Sequence, residues 1–116
     1  MCRRILSMSF ARIQWPQRIV SGDVVKLRLL VQHPMETGFL QDLNGKIIPR
    51  NVLRLLTCTL GQQEVFRVEP SSGISANPLF EFHVRASETA EVVVQWVDDR
   101  NTRGELRQTM AMLPRL

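Results

Sequence analysis

From Val25 to Val31 the apolar residues fall at every second position, with Lys26 and Arg28 between them. Successive side chains of a strand point to opposite faces, so a period of two describes a strand with one face in a core and one in water. The same pattern sets Phe80, Phe82 and Val84 against Glu81, His83 and Arg85, and Val92, Val94 and Trp96 against Val93, Gln95 and Val97. Turn-forming residues separate such runs: Pro16, Ser21-Gly22-Asp23, Gly61-Gln62, Pro70 and the polar stretch from Asp98 to Gly104. No segment supports a helix longer than a turn or two. Seven short strands are predicted, at Phe10–Trp15, Val25–Val31, Val52–Leu60, Glu64–Glu69, Phe80–Arg85, around Val92–Trp96 and near Glu105–Met112. Short strands with turn signals between them predict an all-β antiparallel sandwich.

Strict alternation within the third run has consequences for the core. It puts Val52, Leu56, Cys58 and Leu60 on one side together with Arg54, and Leu53 and Leu55 on the other with Thr57 and Thr59. The long connection from His33 to Arg50 carries Asn44-Gly45, the favoured pair for a type I′ turn, and is expected to fold a small hairpin within itself.

The chain of 116 residues is read as one sandwich domain over residues 10–112, between a basic tail at 1–9 and a short tail at 113–116. A domain of this size buries roughly two-thirds of its unfolded surface and needs no metal or disulfide to hold its core. A hydrophobic share of 44% is too high for a disordered chain. No apolar run approaches the ~18 residues of a membrane helix, and no membrane insertion is expected.

Thirteen arginines and two lysines leave a net charge of +4. No helix-turn-helix, zinc-finger or RNA-motif pattern accompanies the charge, and no nucleic-acid partner is expected. A basic surface facing an acidic partner, or attracting small anions, is the better use of it.

Of the two cysteines, Cys2 lies in the terminal segment and Cys58 inside an apolar strand pattern, neither flanked by glycine and with no CxxC spacing. His33, His83, Cys58 and Met35 bring a copper site to mind, but Cys58 has no histidine within 20 residues on either side, and no metal or cofactor is expected. His33 and Glu36 could be drawn as an acid–base pair on one loop. No Ser/His/Asp or Cys/His set supports them, and neither catalytic residues nor enzyme activity are expected. Arg3-Arg4 has the look of a twin-arginine export signal, yet Arg12, Gln14, Gln17 and Arg18 interrupt the apolar stretch such a signal requires.

Three segments in order carry a family resemblance. The first is His33-Pro34-Met35-Glu36-Thr37-Gly38, followed by Asp42-Leu43-Asn44-Gly45-Lys46-Ile47-Ile48-Pro49. The others are Gly73-Ile74-Ser75-Ala76-Asn77-Pro78-Leu79-Phe80-Glu81-Phe82 and Val94-Gln95-Trp96-Val97-Asp98. Over roughly residues 24 to 110 the chain resembles SoxZ, the non-carrier subunit of the SoxYZ sulfur-carrier complex of thiosulfate oxidation. The resemblance implies an immunoglobulin-like sandwich and a SoxY-like partner in a heterodimer, whose flexible glycine-flanked cysteine carries the sulfur and presents it to other Sox enzymes. It also implies periplasmic action, by co-export with a partner that bears the signal. A partner interface is expected at His33, Met35, Glu36, Gly38, Asn77 and Pro78, with Met35 on the docking surface and His33 and Glu36 on its polar rim. Self-association into a homodimer, as in an adhesion or assembly module, is the alternative.

Overall fold

The computed structural model describes residues 10–70 and 73–114; the expected basic tail at 1–9, with Cys2, lies outside them. Seven strands form two antiparallel sheets: β1 (Phe10–Gln14), β2 (Val24–Gln32), β3 (Leu53–Leu60), β4 (Gln63–Val68), β5 (Leu79–Arg85), β6 (Ala90–Asp98) and β7 (Arg103–Met110). One sheet has the order β1-β2-β5, the other β4-β3-β6-β7. The chain changes sheets after β2, β4 and β5, which makes an immunoglobulin-like sandwich of the predicted kind.

The alternating runs of β2, β5 and β6 bury the face that their pattern assigned to the core. Val25, Leu27, Leu29 and Val31 of β2 meet Leu56 and Cys58 of β3 and Val92, Val94 and Trp96 of β6 in one continuous cluster. On one side of the sandwich Phe66 of β4 stacks on Phe82 of β5, with centroids 4.2 Å apart and planes 6° from parallel. On the other side β1 packs beside β7, and a parallel bridge from Val20 to Leu113 ties the strand ends together. Ser21 donates its N–H to the Leu113 carbonyl and Leu113 donates to that of Ile19. Leu113 is therefore an anchored residue, not the start of a tail.

Strict alternation fails in β3. The β3–β6 register shifts between Leu53 and Leu55, a bulge that inserts one residue. Leu53 and Leu56, three apart, are thereby both fully buried, and Arg54 stands in solvent with its guanidinium on the Asn101 side-chain oxygen at 2.8 Å. An arginine in the core would have needed a buried partner, and the bulge removes that need.

Candidate functional site

Strand β2 ends at Gln32, and the chain then enters the connection 33–52 through a polar knot. The His33 N–H donates to the Asn77 side-chain oxygen at 2.9 Å, and the Asn77 N–H donates back to the His33 carbonyl at 2.8 Å. Val31 donates to the Pro78 carbonyl. Inside, the imidazole is only 1% exposed and both ring nitrogens are used. Nδ1 accepts the Met35 N–H at 3.0 Å, so the ring proton sits on Nε2 and is donated to Asp98 Oδ2 at 3.1 Å. The other Asp98 oxygen accepts the backbone N–H groups of Arg100 and Thr102 at 3.0 and 2.9 Å. His33 thus joins the three segments that carry the family resemblance at one point.

Met35 has a left-handed backbone, φ 51°, which costs a non-glycine residue on the order of 1–2 kcal/mol. Its hydrogen bond to the imidazole helps hold that conformation. Its buried thioether sulfur lies 3.4 Å from the Leu53 N–H, at the start of β3. Glu36 and Asn51 exchange both backbone hydrogen bonds at 2.8 Å. Gly38 follows at φ +91°, where a Cβ would stand 3.2 Å from that of Arg50. Asp99 closes the base, accepting the Val52 N–H at 3.2 Å and meeting the Arg50 guanidinium at 3.4 Å.

Beyond this base the chain forms the expected hairpin. Gln41 bridges Ile47, Ile48 donates to the Leu40 carbonyl, and Asp42 donates to that of Lys46. The turn is not type I′, which requires positive φ at both central residues. Only Gly45 has it, at +80°. The Gly45 N–H donates to the Asp42 carbonyl, and Asp42 Oδ1 accepts the N–H groups of Asn44 and Lys46 at 2.8 and 3.0 Å. The carboxylate of Asp42 therefore selects a type I turn closed by a left-handed glycine.

The hairpin exposes Phe39 at 85%, Leu40 at 59%, Leu43 at 104% and Ile47 at 62%. Four large apolar side chains on one short projection are unlike singly scattered surface hydrophobics.

The residues singled out in the sequence divide accordingly. His33, Met35 and Pro78 are buried, Glu36 and Gly38 are half-buried, and Asn77 is exposed. Placing Met35 on a docking surface and His33 on its rim requires correction, because both side chains are spent on internal hydrogen bonds. His33 is not drawn to Glu36 either; its carboxylate partner is Asp98. Met35→Asp would consequently report on folding before it reported on binding. The exposed apolar residues were visible only as an unremarkable spread along a long connection.

Cys58 is fully buried, and burial pushes its thiol up to about 11. In a Cys2→Ser background the native chain should not react with a thiol reagent at pH 8, whereas the unfolded chain should react at once. A thiol that titrates near 9 when unfolded and near 11 when folded contributes stability below pH 9 and loses it as pH rises toward 11. The loss should be on the order of 2 kcal/mol in denaturation curves and absent from Cys58→Val. Among the described residues no three His, Cys, Asp or Glu groups come together as a metal site.

The family model of the sulphur oxidation protein SoxZ matches residues 13–109. The chain belongs to the SoxZ family. A search of curated proteins found no match. Among solved structures, the superoxide reductase (neelaredoxin) from Ignicoccus hospitalis superposes with a TM-score of 0.69 at 14% identity, covering 90% of this chain and 82% of its own. A superoxide reductase in the oxidized state gives 0.66 at 14% identity, covering 94% and 93%. A hypothetical protein from Pyrococcus horikoshii OT3 gives 0.63 at 16%, covering 89% of each chain. At such identities the likeness shows a shared fold alone. The SoxZ match makes this chain a sulfur-oxidation subunit, and all three segments meeting at His33 lie within it.

Proposed function

We propose that this SoxZ-family chain is the non-catalytic scaffold of a SoxYZ-type sulfur carrier, bound to a SoxY-like subunit whose terminal cysteine holds the intermediates of thiosulfate oxidation. One observation carries the reading: Cys58, the cysteine within the described residues, is sealed in the core with a raised thiol pKa. A carrier sulfhydryl must be reachable and at least partly ionised to attack and to be unloaded. Cys2, beside Arg3 and Arg4 and with no glycine to give it reach, does not suit a carrier end, so the working thiol belongs to a partner, which this chain steadies and helps present to the other Sox enzymes. The knot at His33 offers no rival chemistry, because both imidazole nitrogens are occupied and water does not reach them. The heterodimer acts in the periplasm, where co-export brings it.

The apolar hairpin is the surface we assign to the heterodimer. Burying a Phe or Leu side chain is worth about 1.5–3 kcal/mol, so Phe39→Asp with Leu43→Asp should weaken the complex about 100-fold or more. Both side chains are exposed, so the melting temperature of the isolated chain should stay where it was. Co-expression with a SoxY-like subunit should yield a 1:1 complex on gel filtration. A stable homodimer indifferent to the carrier would favour a self-associating module instead. Sulfane adducts on Cys2 or Cys58, formed with no second subunit, would overturn the scaffold reading.

A further inference from the structure

The outer faces of the two sheets carry charge very differently. On β4-β3-β6-β7 Arg67 pairs with Glu64 at 3.0 Å and Arg107 with both Glu91 and Glu105, while Arg54 rests on the Asn101 side chain and Arg103 is exposed. On β1-β2-β5 the outer positions hold Arg12, Lys26, Arg28 and Arg85 against one carboxylate, Glu81, which is shared by Arg28 at 2.9 Å and Lys26 at 3.8 Å. Strand register lays these cations out in a band. Arg12 stands opposite Leu30, Arg28 and Lys26 follow at successive outward positions, and Arg85 lies opposite Val24. Six residues of strand separate the ends, a span of about 20 Å.

That length is too great for one small anion, and the cations do not converge on a point. Apolar side chains sit among them. Leu30 and Leu79 are cross-strand partners, 41% and 48% exposed, and a groove of about 310 Å³ joins Trp15 and Pro16 to Lys26 and Arg28. Arginine interleaved with exposed aliphatic side chains on a sheet is the composition of a protein-binding face. A nucleic-acid platform would present aromatic rings for base stacking, whereas the outward positions of β2 and β5 hold no Phe, Tyr or Trp; half-buried Trp15, and Phe10 opposite Gln32, stand only at the margins of the band.

We propose that the outer face of β1-β2-β5 is a docking face for an acidic protein surface, one that sets carboxylates against the Arg12–Arg85 band and aliphatic groups against Leu30 and Leu79. It is separate from the apolar hairpin and does not depend on the sulfur-carrier reading. Contacts of this kind speed encounter and fade with salt.

The test uses the full chain, isotope-labelled, titrated with a twelve-residue peptide of alternating Glu and Leu and followed by amide chemical shifts. Shifts are expected on β1, β2 and β5, with affinity falling about tenfold between 50 and 300 mM salt. Arg12→Glu with Arg28→Glu should remove at least about 90% of the affinity, and Arg103→Glu on the other sheet should leave it intact. If the reversed-charge variant fails to fold, Arg12→Gln with Arg28→Gln serves in its place, with the same direction expected. Shifts centred on the other sheet or on the hairpin would overturn the proposal. So would equal or tighter binding of a twenty-nucleotide oligo-dT, identical shifts produced by sodium sulfate, or unchanged affinity in the neutralised variant.

Discussion

Replacing His33 by alanine is expected to cost about 4 kcal/mol of folding stability, a large share of the 5–15 kcal/mol typical of a domain. The change strands two groups that water cannot reach, the Met35 N–H and the Asp98 Oδ2 carboxylate oxygen. Each unsatisfied polar group costs about 1–3 kcal/mol, and more when it is charged. The near-isosteric Asp98→Asn should lose about 2–3 kcal/mol. If its amide oxygen keeps the N–H groups of Arg100 and Thr102, its NH2 faces the proton on His33 Nε2. Moving that proton to Nδ1 only transfers the conflict to the Met35 N–H. Urea denaturation measures both losses, and amide hydrogen exchange should show residues 36–51 released first. A loss below about 1 kcal/mol in His33→Ala would mean that the knot does not hold the hairpin.

The second large effect is expected at Gly104. It lies opposite Trp96 across β6 and β7, and the indole fills the space a Cβ would take. A Cβ there would fall 2.2 Å from Cε2 and Cζ2 of Trp96. Trp96 is 4% exposed, and its Nε1–H has no hydrogen-bond acceptor among the described residues, so packing positions the ring. Gly104→Ala must displace the indole within a close-packed core, at about 3 kcal/mol, lowering the melting temperature by roughly 10–15 °C. Combining it with Trp96→Leu should restore part of the loss, because the smaller side chain leaves room. Strictly additive losses in that double-mutant cycle would show that the clash does not set the cost.

The strands were legible because each of them is a local pattern. Alternation in β2 and β5 is a property of seven consecutive residues and needs no knowledge of the partner strand. The bulge at Arg54 was not legible, since it lies in the register of β3 against β6, a strand about 40 residues away in the chain, and shifts every β3 side chain beyond it. The turn in the hairpin was half legible. Asn44-Gly45 announces a reversal, but Asp42, two residues earlier, decides its type through its side chain.

The candidate site divides in the same way. Residue types alone showed that no flexible glycine-flanked cysteine is present, and that three segments resemble SoxZ. Those statements depend on identity and order, which a linear chain carries in full. That His33 and Met35 face inward, that Asp98 is the carboxylate the imidazole meets, and that four cations of β1, β2 and β5 share one face with a single carboxylate were decided by tertiary structure. Those properties depend on which distant residues become neighbours: His33 and Asp98 are 65 positions apart, and only the folding of one sheet over the other brings them to 3.1 Å.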